Sequence, residues 1–243
     1  MKSNNNKLIL KKIKNWKSVK LKSHSSGHII LLDEVTLRTL SGNELIIGNR
    51  LIAHKVKKEW SKVKKEINYT DMPYTKACFL SADRSERESL KLKDKLVGYG
   101  MSDLLCYRAD KGSDLVKIQS KSWDPLVDWL QNQLDITLLI SHSLAPIEQS
   151  RDLEKGLSKL LLPIEPLALT AMNELVTLSN SLIIGLALLK GKILPEKAWK
   201  IMRIEEEWQR SIWGTLAEQK AEDKIKWSLF MHACGILKLV KRQ

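Results

Sequence analysis

The sequence predicts an α+β protein in which a small N-terminal antiparallel sheet, covered by one helix, precedes a larger and mostly α-helical bundle. Three observations carry this. From Trp16 to Ile47 short β-prone segments alternate with turn formers, and beyond Pro73 apolar residues recur at helical spacing almost to the end of the chain. Between the two patterns lies a polar joint, Asn68 to Pro73. The expected division is therefore an α/β two-layer domain over residues 1–70 and a helical domain over residues 71–243.

Residues 1–11 are rich in Asn and Lys and lack apolar periodicity, as expected of an ordering-poor arm. Strands are expected over Trp16–Leu21, His28–Leu32, Val35–Leu40 and Glu44–Ile47, joined by Ser25-Ser-Gly27, Asp33-Glu34 and Ser41-Gly-Asn43. The apolar face of such a meander needs a cover. Asn49 caps a helix expected to run to Ile67, with Leu51, Ile52, Val56, Trp60, Val63 and Ile67 on one face and lysines on the remainder.

In the second half, helices are expected over residues 74–87 and 90–99, then a short one capped by Ser102 or Asp103 through Ala109. A long helical period follows from Leu115 to Leu134. Asp124-Pro125 interrupts that period and predicts a kink or restart, since a mid-helix Pro costs about 3 kcal/mol whereas Asp-Pro opens a helix well. The apolar run Ile136–Ile140 reads as a strand. Helices follow over 147–161, 166–178, 180–190 and 195–212, and a last one from Thr215 to Val240. Ser181 to Leu189 is apolar nearly all round, which marks the central buried helix.

Composition narrows the function. The 243 residues, 43% apolar and 28% charged, are those of an ordinary globular protein, and the longest apolar run, Leu182–Leu189, is far short of the roughly 20 residues of a membrane span. No membrane insertion is expected. Cys78, Cys106 and Cys234 form no CxxC pair, which points to reduced, separately buried thiols. The net charge of +13 is concentrated at the start: residues 1–28 hold eight lysines and no acid, whereas residues 71–243 hold 25 basic against 23 acidic groups. With no arginine cluster to fork onto phosphates, no nucleic-acid partner is expected.

Nucleotide-binding, metalloprotease, esterase-elbow and calcium-loop motifs are absent, so no catalytic residue, cofactor or metal is expected. His24 and His28 lack a third ligand, and His232 falls on an apolar helical face where a core histidine is the plain reading.

One stretch stands apart. If residues 195–212 form one helix, Ile201, Ile204, Trp208 and Ile212 share a face and Glu205 points into its middle. Glu206 sits at the margin beside Trp199 and Trp213, and Glu207 on the polar side with Lys200 and Arg203. A carboxylate in an apolar stripe needs a partner, in this chain or in another protein. Clustered Trp, moreover, serves equally for core packing and for interfaces.

Several segments in order resemble the assembly chaperone of F-type ATP synthase that holds the free α subunit of the catalytic head. They are Leu32-Asp33, Thr39, Ser41-Gly-Asn-Glu-Leu45, Glu59-Trp60, Met72-Pro73, Tyr107-Arg-Ala109, Gln119, Trp123-Asp-Pro-Leu126, Trp129, Ser181 to Gly191, Ala198-Trp199, Glu205-Glu-Glu-Trp-Gln209 and Trp213-Gly214. The chain departs from the family's pattern at Thr39-Leu40, where Thr-Pro is usual, near Gly48, where a second Pro is usual, and at Trp208, where Tyr or Phe is usual. The resemblance implies a non-enzymatic, monomeric chaperone with the α subunit as partner and an important acidic residue in Glu205-Glu-Glu207. The expected partner-binding residues are Glu205, Glu206, Trp208, Gln209 and Trp213.

Only some 11 residues precede the family-like region, too few for a usual cleaved presequence, so a bacterial cytoplasmic protein is expected, with a processed matrix protein as the alternative. Two rival readings stand beside this one. One is a basic nucleic-acid-binding adaptor using the Lys arm and the 49–67 helix; the other is an enzyme with an unrecognised site around Glu205, His232 and the tryptophans.

Overall fold

The computed structural model describes residues 13–143, 145–214 and 217–241. The Lys/Asn arm of residues 1–11 and the expected start of the last helix at Thr215 lie outside them. The chain divides into two compact units, up to Asp83 and from Arg84 onwards. The expected boundary at residue 70 thus falls inside the first unit.

In the first unit β1 (Val19–His24), β2 (Gly27–Leu32) and β3 (Val35–Thr36) form an antiparallel sheet in the order β1-β2-β3. Register is set at both ends of the β1–β2 hairpin. His24 pairs with Gly27 across a two-residue turn, and Val19 with Leu32. Asp33, in the left-handed region at φ 53°, turns its carboxylate back to accept from the backbone N–H of Lys17 and Ser18. These bonds hold its acid below the usual carboxylate range. The expected strand over Glu44–Ile47 is reduced to single bridges, Arg38 with Glu44 and His28 with Ile47. Only Gly fits beside that second bridge, at φ 145°, because a Cβ on Gly27 would stand 2.7 Å from the Ile47 carbonyl oxygen.

Helix α1 (Arg50–Lys62) covers the sheet, its first N–H groups at Leu51 and Ile52 capped by the Asn49 side chain. It buries Ile52, Ala53, Val56 and Trp60, packing on β1 and β2. It ends five residues before Ile67, because the backbone after it is recruited elsewhere. Val63 turns extended, Lys14 Nζ donates to its carbonyl, Lys14 N–H donates to Lys65 O, and Ile13 bridges Glu66. Helix α2 (Pro73–Ala82) has no capping side chain of its own. Glu59 of α1 supplies the cap, accepting from Tyr74 N–H at 2.9 Å, Thr75 N–H at 2.7 Å and Thr75 Oγ1 at 2.6 Å. Asp83 likewise gathers Thr39 Oγ1, Ser41 N–H and Asn43 Nδ2 of one loop.

In the second unit α3 (Glu86–Met101) opens with a Ser85–Glu88 capping box. A three-residue 3-10 turn, Leu104–Cys106, replaces the expected short helix; Asp103 does cap it. Helix α4 (Asp114–Leu134) runs through Pro125 without a restart, burying Trp123, Leu126, Val127 and Leu130 on both sides of it. The burial outweighs the one lost backbone bond. The expected strand over Ile136–Ile140 is not formed. Glutamine side chains take the backbone bonds a neighbouring strand would make: Gln131 Oε1 accepts from Leu138 N–H, and Gln149 bonds both backbone groups of Leu139.

There follow α5 (Arg151–Leu161), α6 (Pro166–Ser179), α7 (Leu182–Lys190), α8 (Pro195–Met202), α9 (Ile204–Trp213) and α10 (Ala217–Val240). Every residue of α7 from Leu182 to Leu188 is buried, as expected of a helix apolar all round. Gly185 lets α6 approach it, since a Cβ there would meet Val176 at 2.9 Å and Met172 at 3.1 Å. The start of α7 is held by Asp103, which is wholly buried and accepts from Ser181 Oγ at 2.7 Å, Ile183 N–H at 2.9 Å and Leu105 N–H at 3.0 Å. Burial nevertheless pushes its acid up to about 6.

Candidate functional site

Residues 195–212 do not form one helix. At Arg203 (φ −112°, ψ 12°) the chain leaves helical geometry, and α9 restarts at Ile204. The continuous apolar face expected across this stretch is therefore broken. Ile201 of α8 is buried, whereas no residue of α9 is, and Ile212 and Trp213 at its end are 56% and 84% exposed.

Arg203 explains the break. Its guanidinium stacks over Trp199 at 4.8 Å and reaches Glu206 Oε2 (2.9 Å), Glu207 Oε1 (2.9 Å) and Asp223 Oδ2 (2.7 Å). Arg210, two turns on, grips Asp223 with both terminal nitrogens at 2.6 and 3.1 Å and also meets Glu207 at 3.0 Å. Asp223, shared between two arginines, has its acid pulled below the ordinary carboxylate value, chiefly by the bonds to Arg210. This network ties α9 to α10 by charge. An aromatic cluster ties α8 to α10 instead: Trp199 lies 5.1 Å from Trp227 and 5.5 Å from Phe230.

Glu205 is half-buried, and its partner lies within this chain. Its Oε1 accepts from Gln119 Nε2 of α4 at 2.8 Å, and the other end of that fully buried amide accepts from Ala109 N–H at 2.8 Å. The partner is thus a neutral amide. Burial raises the Glu205 acid above its ordinary value, the Gln119 bond opposing it. Nearby, Trp123 Nε1 donates to Ile201 O at 3.0 Å, and the Arg108 guanidinium covers the Trp123 ring at 5.1 Å. Arg108 Nη2 also stands 2.8 Å from Asp124 Oδ1, an ion pair whose angle is too poor for a hydrogen bond. Helix α4 thus holds α9 through Gln119 and α8 through Trp123.

Of the five expected partner-binding residues, Glu206, Gln209 and Trp213 come together. With Arg210, Asp223 and Lys226 they line an open groove of about 360 Å³ between α9 and α10. Glu205 and Trp208 are half-buried and lie outside this lining. The groove offers charges of both signs beside an exposed indole, which suits binding rather than covalent chemistry. Spacing alone could have flagged Arg203 with Glu207 and Arg210 with Glu206, each four apart on a helix. No local signal points to Asp223, which arrives from another helix.

His232 stands 3.5 Å from Ser228 Oγ on its own helix, and Glu205 is engaged by Gln119. Burial pushes all three thiols up to about 12, far from nucleophilic at neutral pH. Among the described residues no three His, Cys, Asp or Glu side chains converge as a metal site would require, and no helix is long and apolar enough to cross a membrane.

The family model described as the ATP12 chaperone protein matches residues 13–131. The mitochondrial protein atp12 of Schizosaccharomyces pombe is 24% identical over 216 residues, spanning 84% of this chain and 74% of that protein. Among solved structures, Atp12 from Paracoccus denitrificans is 32% identical, covers 93% of this chain and 97% of its own, and superposes with a TM-score of 0.86. The Atu1473 protein of Agrobacterium tumefaciens is 27% identical, with 94% and 86% coverage and a TM-score of 0.87. The chain belongs to the ATP12 chaperone family and is a chaperone of ATP synthase assembly.

Proposed function

We propose that the protein binds the unassembled α subunit of the ATP synthase catalytic head, covers the surface that later meets the β subunit, and releases it without catalysis. The observation that supports this most is the end of α9, where Ile212 and Trp213 are presented to solvent beside the charged groove. A large exposed aromatic next to satisfied charges is the composition of a hot spot and its polar surround. On this reading Glu206, Gln209 and Trp213 touch the client. Glu205 acts from beneath by fixing α9 on α4 through Gln119.

An isolated α subunit exposes an apolar patch that invites aggregation, and shielding it requires only a complementary surface. No nucleotide, metal or nucleophile enters this scheme. The protein is read as a monomer at work in the bacterial cytoplasm, with the mitochondrial matrix as the alternative, and three buried thiols suit either reducing compartment.

The test is suppression of aggregation of purified α subunit, followed by light scattering, with wild-type protein and with Trp213→Ala. Wild type suppresses the scattering in stoichiometric amounts, and Trp213→Ala, folded normally, does so poorly. Equal protection by the two proteins overturns the assigned surface. Failure of wild type to protect overturns the partner.

A further inference from the structure

The second half of α10 carries a cleft that the α9 surface does not use. It has a volume of about 650 Å³ and lies between α10, the end of α7 and the start of α8, sharing no lining residue with the groove beside α9. That volume is within the roughly 300–1,000 Å³ of small-ligand sites. Leu188, Ile193, Met231 and Leu237 line it, and Leu194, 71% exposed, stands on its rim. No aromatic ring is among its described walls. From Met231 to Lys241 the cleft follows α10 for ten residues, about 15 Å of helix axis.

The charges of the cleft are unevenly placed. Lys238 and Lys241 belong to its end at the last turn of α10. A Cβ built on Gly191, another wall residue, would lie 3.5 Å from Lys241 Nζ, which puts that ammonium in the wall over the end of α7. No carboxylate among the described residues pairs with it. Its neighbouring charge is Lys190, and partial burial together with that like charge holds its pKa below the ordinary lysine value. Glu196, the acid in the lining, lies near enough to Cys234, further back along α10, for its charge to help raise that thiol.

We infer that this cleft binds an aliphatic carboxylate of the fatty-acid type, its head group at Lys241 and Lys238 and its chain along Leu237, Leu188 and Ile193 towards Met231. An anion at the head position relieves the repulsion between Lys190 and Lys241 and supplies the acceptor that Lys241 lacks. Aliphatic walls without a ring suit an alkyl chain and offer a nucleotide base nothing to stack on. A helix of a partner protein needs a contact of about 800 Å² on this side, whereas the cleft has the dimensions of a small ligand. The arm of residues 1–11, with lysines and no acid, has the wrong sign to fill it. The site does not rest on the α subunit being the partner.

The experiment follows the methionine methyl signals of the full-length protein, labelled with ¹³C-methyl methionine, by NMR during titration with decanoate below its micelle-forming concentration. Met231→Leu and Met72→Leu each remove one signal and so assign the two, while the titration itself is done on the wild-type chain. The Met231 signal is expected to move along one saturable curve, and that of Met72, buried in the first unit, to stay in place. Octanoate, two CH₂ groups shorter, should bind about fifteenfold more weakly. Decanol, which lacks the charge, should bind about tenfold more weakly than decanoate, and Lys241→Gln should lose about the same factor for decanoate while Lys241→Arg keeps it. The inference is overturned if Met231 does not respond, if Met72 moves equally, if octanoate or decanol binds as tightly as decanoate, if Lys241→Gln binds decanoate unchanged, or if acetyl-Leu-Asp-Leu-amide shifts Met231 where decanoate does not.

Discussion

Helices α7 and α9 belong to the same unit and have nearly the same length, yet one is entirely interior and the other has no buried residue. Both begin with demanding electrostatics. At the start of α7 a buried carboxylate, Asp103, meets N–H and O–H donors that can go nowhere else. At the start of α9 three acids in the first turn favour the positive end of the helix; Glu205 meets Gln119, but Arg203 and Arg210, the partners of Glu206 and Glu207, leave those two largely in water. The difference teaches that a carboxylate at a helix start can serve as core or as surface, and that its donors decide which. Backbone donors lock α7 into the bundle. Side-chain guanidiniums leave α9 on the outside, available to another protein.

The sharpest way to break the comparison is at Asp103. Asp103→Ala strips the acceptor from three buried donors at roughly 1–3 kcal/mol each, so a loss of about 3–5 kcal/mol is expected in urea unfolding. Its titration adds a sign. With a folded value of about 6 against an ordinary 3.8, this group's stabilisation is complete in acid and is lost as pH rises through about 6. Asp223 is lowered instead, so its stabilisation is present above the ordinary carboxylate value and is lost as pH falls through its depressed value. Asp103→Asn should therefore gain stability relative to wild type as pH rises from about 4 to 6, as read from denaturation midpoints across that window. A difference that stays flat over it would remove Asp103 as the source.

Arg203 is the corresponding lever on α9. Arg203→Met keeps some stacking on Trp199 but drops three carboxylate contacts, and because these are partly solvated a loss of about 2 kcal/mol is expected. Hydrogen exchange should rise first in α9 and not in α7. Uniform loss of protection would mean that α9 is no independent element.

Smaller effects sharpen the picture. Glu205→Gln mimics the protonated form that burial already favours and can still meet Gln119, so the fold should change by no more than about 0.5 kcal/mol and capture of the α subunit should be nearly unchanged, whereas Glu205→Ala, which drops the Gln119 contact, should weaken capture. A large drop in melting temperature would make it a purely structural acid. Glu207→Gln should leave α capture and melting alike nearly unchanged. Trp213→Ala, on a side chain 84% exposed, should be the quietest in stability, again within about 0.5 kcal/mol, and the loudest in client binding, with affinity down by about tenfold or more.

Much of this protein was legible in the residue order, because its local rules agree with the fold. The two-strand hairpin with its Ser-Ser-Gly turn, the Asn49 cap, the apolar-all-round α7 and the punctuation by Gly191 and Pro195 are decided within a few residues of chain. The motifs also identified the family without revealing why each residue is there. Glu59 proves to cap a helix fifteen residues on, and Thr39 with Ser41 and Asn43 serves to bind Asp83. Such contacts join residues far apart in sequence, and a linear pattern holds no record of which donor will meet which acceptor.

Where the expectations failed, tertiary competition decided. Helix α1 stops at Lys62 because the segment at Ile13 and Lys14 claims the next backbone groups, and Ile136–Ile140 is no strand because Gln131 and Gln149 take the bonds a neighbour would have made. The wheel that placed Glu205 in an apolar stripe assumed an unbroken helix, which the contacts of Arg203 prevent. Sequence alone determined the hairpin and most of the helices, since helical and strand periods are local properties of apolar spacing. Only the tertiary structure decided where they end and which carboxylates are buried, since both depend on partners that arrive from elsewhere in the chain.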